Sequence, residues 1–256
     1  MHPAKLSITG LSKTFREPGR RHQVLRSLNM TVAEGEFVSI IGPSGSGKST
    51  LLHLVAGVDE PTAGAIAIDG RANGNRLGAS GYVMQKPLLL PWKTVRENVM
   101  LGPVLQGRPL TEAGREADEL LKKFGLSQVA GQYPRVLSGG MAGRVALLRT
   151  MLFNKNFLLL DEPFGALDAL TRRIMQLWLL EVWGEFHSTV LCVTHDIREA
   201  ILLSDKIYVL GGQPATITRE VVIDLPRPRT REHLNRPHIL RLERTLEDAL
   251  LKEEQL

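Results

Sequence analysis

Gly42-Pro43-Ser44-Gly45-Ser46-Gly47-Lys48-Ser49 collects the groups that a nucleoside triphosphate requires. Its glycines let successive backbone N–H groups approach crowded anionic oxygens, and a helix beginning there would point its positive end at them. Lys48 adds a cation at the β/γ position. The Ser49 hydroxyl is placed to ligate Mg2+, and Thr50 completes the nucleotide-binding stretch. Much later, Phe157-Leu158-Leu159-Leu160-Asp161-Glu162-Pro163 sets two acids at the end of an apolar run. Asp161 would hold the Mg2+ shell, directly or through water. Glu162 would accept the proton of an attacking water or orient it, as phosphoryl transfer requires. A helix N-cap pair before a proline is the plainer reading of the same two acids.

These groups need a scaffold. Phe37-Val38-Ser39-Ile40-Ile41 reads as a strand entering the loop, and Ser49 to Ala56 as a helix halted by Gly57. Upstream, Leu6 to Ile8 and Val32 with Glu36 to Ile41 read as strands around a polar, Arg-rich hairpin-like stretch at Pro18 to His22. Ala65 to Ile68 runs into the turn Asp69-Gly70. From about Thr94 to Leu152 the pattern is helical, with one helix opened by Thr111 and ended by Gly125. Strands return at Phe157 to Leu160, Thr189 to Val193 and Lys206 to Leu210, with a helix over Leu170 to Phe186 between the first two. Alternating strands and helices predict an α/β fold on a mostly parallel sheet. The tail after Leu225 begins Pro226-Arg227-Pro228-Arg229 and turns helical over Glu243 to Lys252.

The 256 residues can bury a sizeable core. With 43% hydrophobic and 23% charged residues, the composition is that of an ordinary soluble protein. No apolar run is long enough to suggest a membrane span, and no apolar segment follows Met1 to Lys5 to suggest a secretory signal. The single cysteine, Cys192, cannot form an internal disulfide, which fits a reducing cytoplasm. A net charge of +5 is scattered rather than clustered, so nucleic acid is not expected as a partner. A position beside anionic headgroups would account for the excess equally well.

Leu137-Ser138-Gly139-Gly140-Met141 lies between the two motifs and resembles the signature of the ATP-binding cassette (ABC) ATPases. The resemblance covers nearly the whole chain. It implies a P-loop NTPase of ABC type, with a mostly parallel sheet core, an N-terminal antiparallel β portion and a helical subdomain over about 92–152. Residues 1–225 would form the ATPase domain and 226–256 a C-terminal helical extension. In that family Ser138, Gly139 and Gly140 would cap the ATP held on the other subunit's phosphate loop. Gln85 would sense Mg2+ and γ-phosphate. Asp168, in Ala166-Leu167-Asp168, would lie on the segment crossing the dimer interface. His195, in Thr194-His195-Asp196, would contact the γ-phosphate and the catalytic water. Adenine would stack on an aromatic ring upstream of the loop. Phe15 is the best match and His22 a second candidate, while an ordinary core phenylalanine is the alternative for Phe15.

Met141, Leu88-Leu89-Leu90-Pro91-Trp92-Lys93-Thr94-Val95, Phe164 to Arg172 and Leu225 to Arg229 resemble the subfamily importing nitrate, sulfonates, taurine and related small molecules. Leu88 to Trp92 would then join the groove that accepts a coupling helix of the membrane subunit, unless it forms a local hydrophobic core. Three features depart from the family. Ala142-Gly143-Arg144 replaces Arg-Gln-Arg, and Gly143 costs about 1 kcal/mol of helix propensity relative to Ala, which predicts a less ordered signature helix or weaker closure. Lys86 follows Gln85 where an acidic or neutral residue is usual. Asn154-Lys155-Asn156 lacks the usual proline.

The resulting expectation is a peripheral ATPase on the cytoplasmic face of the inner membrane, binding ATP and Mg2+ as a head-to-tail pair, most simply a homodimer. Its other partners would be an integral permease and an extracytoplasmic substrate-binding protein. A non-transport ABC ATPase and an exporter subunit are the rivals. The first usually carries a coiled coil or a second cassette and the second fused membrane helices, and neither pattern is present.

Overall fold

The computed structural model describes residues 3–17, 20–72 and 74–254. Pro18 and Gly19, at the tip of the expected hairpin, and Met1 and His2 lie outside them. Two sheets organise the chain. Strands β1 (Ala4–Glu17), β2 (Arg20–Ala33), β4 (Ala63–Ile68) and β5 (Arg71–Ala72) form an antiparallel sheet in the order β2-β1-β4-β5. Strands β3 (Phe37–Ile41), β6 (Gly81–Val83), β7 (Phe157–Asp161), β8 (Thr189–Val193), β9 (Lys206–Gly211) and β10 (Thr216–Val222) form the second, in the order β10-β9-β3-β8-β7-β6. This sheet is parallel except for β10, which pairs antiparallel at one edge.

The parallel strands read as unbroken apolar runs because both of their faces are covered. Every residue of β3, β7 and β8 is buried. Their side chains still alternate, as the pleat demands. Phe157 and Leu159 of β7 and Leu191 and Val193 of β8 join a core with the antiparallel sheet and helix α1 (Lys48–Ala56). Leu158, Leu160, Val190 and Cys192 point the other way, into a second core. That core contains α4 (Leu110–Lys123), α5 (Gly139–Phe153) and α6 (Ala169–Phe186), together with the short α2 (Val95–Val99). A short α3 (Leu101–Leu105) follows α2.

Strands β1 and β2 are far longer than the apolar pattern at Leu6 to Ile8 predicts. Register shifts between Ile8 and Lys13, and a left-handed Ser27 at φ 48, break the alternation. Toward its tip, over Thr14 to Arg16 and Arg21 to Val24, the hairpin is half-buried or exposed, so it carries little apolar signal.

The tail also differs from expectation. After a 3-10 turn at Arg231–Asn235, α8 spans Pro237–Glu254 and begins well before Glu243. Its first residue is a proline, whose fixed φ and missing N–H suit a helix start. Leu234, Ile239 and Leu246 are buried with Ala200, Ile201 and Leu202 of α7 (Ile197–Leu203). The C-terminal segment is thus built onto the helix that follows His195. Among the described residues, no helix is long and apolar enough to cross a membrane.

Candidate functional site

The phosphate loop leaves β3 and ends at α1. Gly47 sits at φ 89, where a Cβ would lie 2.7 Å from Val24 Cγ1, so glycine is required for both conformation and space. No side chain caps the first turn of α1, which leaves its N–H groups free for an anion. The Ser46 hydroxyl is buried without a partner. Lys48 is buried and folds back, donating to the carbonyls of Gly42 (2.8 Å) and Pro43 (2.7 Å). Burial lowers its ammonium pKa, while Glu162 and Asp161 act to raise it. Free N–H groups, an orphan hydroxyl and a desolvated cation together form a cradle that fits a polyphosphate.

Asp161 ends β7 and accepts from the Ser49 hydroxyl (3.1 Å) and from the Tyr82 hydroxyl (3.1 Å). Burial and the neighbouring carboxylate push the Tyr82 phenol well above its ordinary value. Tyr82 was invisible as a site residue in the sequence, because only the pairing of β6 with β7 brings it there. The next residue, Glu162, is left-handed at φ 44 and held by two backbone bonds, its N–H to the Val193 carbonyl (2.9 Å) and its carbonyl to the Gly165 N–H (3.0 Å). Such a conformation costs a non-glycine residue about 1–3 kcal/mol, and the flanking strands hold it.

Gln85 and His195 reach the Glu162 carboxylate from opposite sides. Gln85 Nε2 donates to Oε2 (3.3 Å), and His195 Nδ1 lies 3.4 Å from Oε1. The carboxylate is half-buried and the imidazole more exposed. A carboxylate held in this way can take a proton from a water lying between it and the phosphate loop.

Ser138 caps α5, accepting from the Met141 N–H (3.3 Å). A Cβ on Gly140 would lie 2.8 Å from Thr171 Cγ2, so the signature packs closely on the start of α6. Among the described residues no hydrogen bond joins Ser138, Gly139 or Gly140 to the phosphate loop of the same chain. Helix α5 runs unbroken through Gly143. Asp168 caps α6 by accepting from the N–H groups of Leu170 and Thr171 (both 3.0 Å). The Thr171 side chain first, and then the Thr171 and Leu170 N–H groups, hold its carboxyl below the usual range.

Phe15 is 40% exposed, outside the apolar core, and pairs directly across the hairpin with His22. Both adenine candidates therefore project from one face of the ribbon, and Val24 further along β2 touches Gly47. The Leu88 to Thr94 loop is pinned from behind. Buried Asn98 accepts from the Leu90 N–H (2.8 Å), and its amide nitrogen reaches the carbonyls of Leu90, Lys93 and Thr94 (3.0–3.1 Å). Arg149 donates to the carbonyls of Pro87 (2.8 Å) and Leu88 (2.7 Å). Leu88 and Trp92 are exposed, at 54% and 70%, while Leu89 packs against the core. A polar Asn98 between buried Val95 and Val99 was the one sequence signal of this staple.

Residues 25–165 match the family described as ABC transporter. The chain belongs to that family. It is an ATP-binding subunit of ABC type, and ATP hydrolysis is the activity of such subunits. The nitrate import ATP-binding protein NrtD of Synechocystis sp. is 44% identical over 86% of this chain and 83% of its own. The aliphatic sulfonates import ATP-binding protein SsuB of Bacillus cereus is 42% identical over 88% and 89%. Among solved structures, a dimeric, post-hydrolysis ATP-binding cassette bound to ADP and Pi superposes with a TM-score of 0.75 at 33% identity, covering 86% of this chain and all of that one. The fold expected of an ABC ATPase is therefore the fold observed.

Proposed function

We propose that this ABC subunit drives import of a small solute, a nitrate-, sulfonate- or taurine-like molecule, from the cytoplasmic face of the inner membrane. Two copies would close head to tail, each phosphate loop facing the Ser138-Gly139-Gly140 of the other. Phe15 would stack on adenine, and Gly42 to Thr50 would wrap the phosphates. Asp168 would lie at the dimer seam. Residues of the helical region, about 92–152, would carry the motion to an integral permease fed by an extracytoplasmic binding protein, while 226–256 would form a C-terminal extension.

In this reading Glu162 takes the proton of the attacking water, and Gln85 and His195 hold its two oxygens in place. Lys48 releases its own loop carbonyls to meet β/γ oxygens. Mg2+ fits beside Ser49 and Asp161, hard oxygen donors already in contact, and the Gln85 side-chain oxygen would join its shell. When bound it would neutralise charge on the phosphate oxygens. Among the described residues no cluster of three or more His, Cys, Asp or Glu forms a closed metal cage. That suits an ion which keeps water and phosphate among its ligands.

One observation favours transport: exposed Leu88 and Trp92 on a loop fixed by Asn98 and Arg149, a rigid apolar platform aimed away from the core. Purification of the tagged chain from gently solubilised native membranes tests the reading. A multi-span permease should accompany it. Recovery with soluble partners alone, or only in the cytosolic fraction, would overturn it.

A further inference from the structure

The Pro226 to Arg229 string does structural work at the end of α7. Arg229 donates to the carbonyls of Ile201, Leu202 and Ser204, groups that a helix end leaves without internal partners. Arg227 lies over the Trp183 ring at 3.8 Å and shares Asp205 with Arg229. The chain is thereby delivered to Arg231 beside α6. Arg231 Nη1 donates to Gln176 Oε1 (3.3 Å), and Gln176 Nε2 donates to Glu199 Oε2 (3.0 Å). Gln176 and Glu199 are each only 4% exposed.

Glu199 in turn holds the turn that carries His195. The Thr194 side chain lines the same crevice as its carboxyl, the Asp196 N–H donates to Thr194 Oγ1 (3.1 Å), and the Glu199 N–H donates to Asp196 Oδ1 (3.0 Å). Glu199, His195 and Glu162 line one small crevice. We propose that Arg231 is a positioning residue for ATP hydrolysis, acting through Gln176 and Glu199 to fix the Thr194–Asp196 turn that aims His195 at Glu162. The C-terminal segment thereby controls turnover. The inference rests on the reading of Glu162 and His195 as the hydrolytic pair.

The chemistry of the link is directional. A carboxylate only accepts and a guanidinium only donates, so the Gln176 amide must give its nitrogen to Glu199 and its oxygen to Arg231. Without Arg231 the amide oxygen loses its donor, and Gln176 is tethered at one end only, by the Glu199 carboxylate. The loss matters while Glu199 is ionised; once protonated, its carboxyl can itself donate to the amide oxygen in place of Arg231. Burial raises its pKa to about 7. The other groups around it are Arg172 from α6, Asp196 at the cap of α7, the buried Cys192 thiol of β8, and Glu162 and His195 across the crevice.

Full-length wild type, Arg231→Ala and Arg231→Lys should be compared by steady-state ATPase between acid and alkaline pH, with Glu162→Gln as the site control. Arg231→Ala should lower kcat about 3–10-fold at alkaline pH, a coupling of ordinary size, with KM for ATP nearly unchanged. The deficit should shrink as Glu199 protonates, and Arg231→Lys should restore most of the rate. Backbone hydrogen exchange at residues 195–199 should quicken in Arg231→Ala and recover in Arg231→Lys. A deficit independent of pH, one confined to KM, or unchanged exchange at those amides would overturn the relay. Wild-type turnover in Glu162→Gln would instead overturn the site reading, and the exchange rates would still judge Arg231.

Discussion

His195 Nδ1 stands 3.4 Å from Glu162 Oε1 because β7 and β8 are parallel neighbours paired at Asp161 and Val193. The Glu162 N–H donates to the Val193 carbonyl, so the backbone just before His195 also holds the backbone of the acid. Strand register alone brings together two residues far apart in sequence. The left-handed Glu162 then turns its carboxylate toward the imidazole and the Gln85 amide.

Glu162→Gln preserves side-chain shape but leaves only one terminal oxygen to accept from Gln85 or His195, and it removes the proton acceptor. ATP binding should persist and turnover should fall by about 10²–10⁴-fold, the range expected for loss of a general base. Nucleotide binding and phosphate release measured on one preparation would check this. Brisk hydrolysis would remove Glu162 from the role.

Glu199 makes stability depend on pH. Its folded pKa of about 7 lies above the ordinary 4.5, so between those values the folded protein binds the extra proton. Stability should therefore fall as pH rises through that window, rather than rise as it does for a salt-bridged acid. Glu199→Gln should be the more stable protein at alkaline pH by an amount on the order of 2 kcal/mol, and little different below about pH 4. Denaturant midpoints at the two pH values decide it.

Asn98→Ala removes the four contacts that staple the Leu90 to Thr94 loop and leaves the Leu90 N–H without its acceptor. A loss of about 2–4 kcal/mol is expected. Thermal unfolding and hydrogen exchange at Leu90 would register it. Hydrolysis by the isolated subunit should change little, while association with a permease should suffer.

Gly143→Ala tests the departure after the signature. A Cβ there would meet only Met175 Cε at 3.6 Å, an ordinary contact, so the substitution should stabilise α5 by about 0.5–1 kcal/mol. A longer side chain would enter the cleft lined by Gln85, Phe164 and Met175. A lower melting temperature for the alanine variant would contradict the available space.

The sequence determined the chemistry-bearing loop, the two acids, the strands β3, β7, β8 and β9 and the family, because each is written in contiguous residues. An unbroken apolar run such as Phe157 to Leu160 can hardly be other than a doubly covered strand. It could not reveal β10, whose residues are mostly exposed at an edge, or the length of β1 and β2, whose bulges scramble the alternation. Nor could it reveal Tyr82 on Asp161, Asn98 behind the Leu88 to Thr94 loop, or Arg231 joined through Gln176 to Glu199. Those roles belong to pairs rather than to residues. A buried polar group is satisfied by whichever partner the fold brings within hydrogen-bond reach, and only the packing of sheet, helices and tail decides which partner that is.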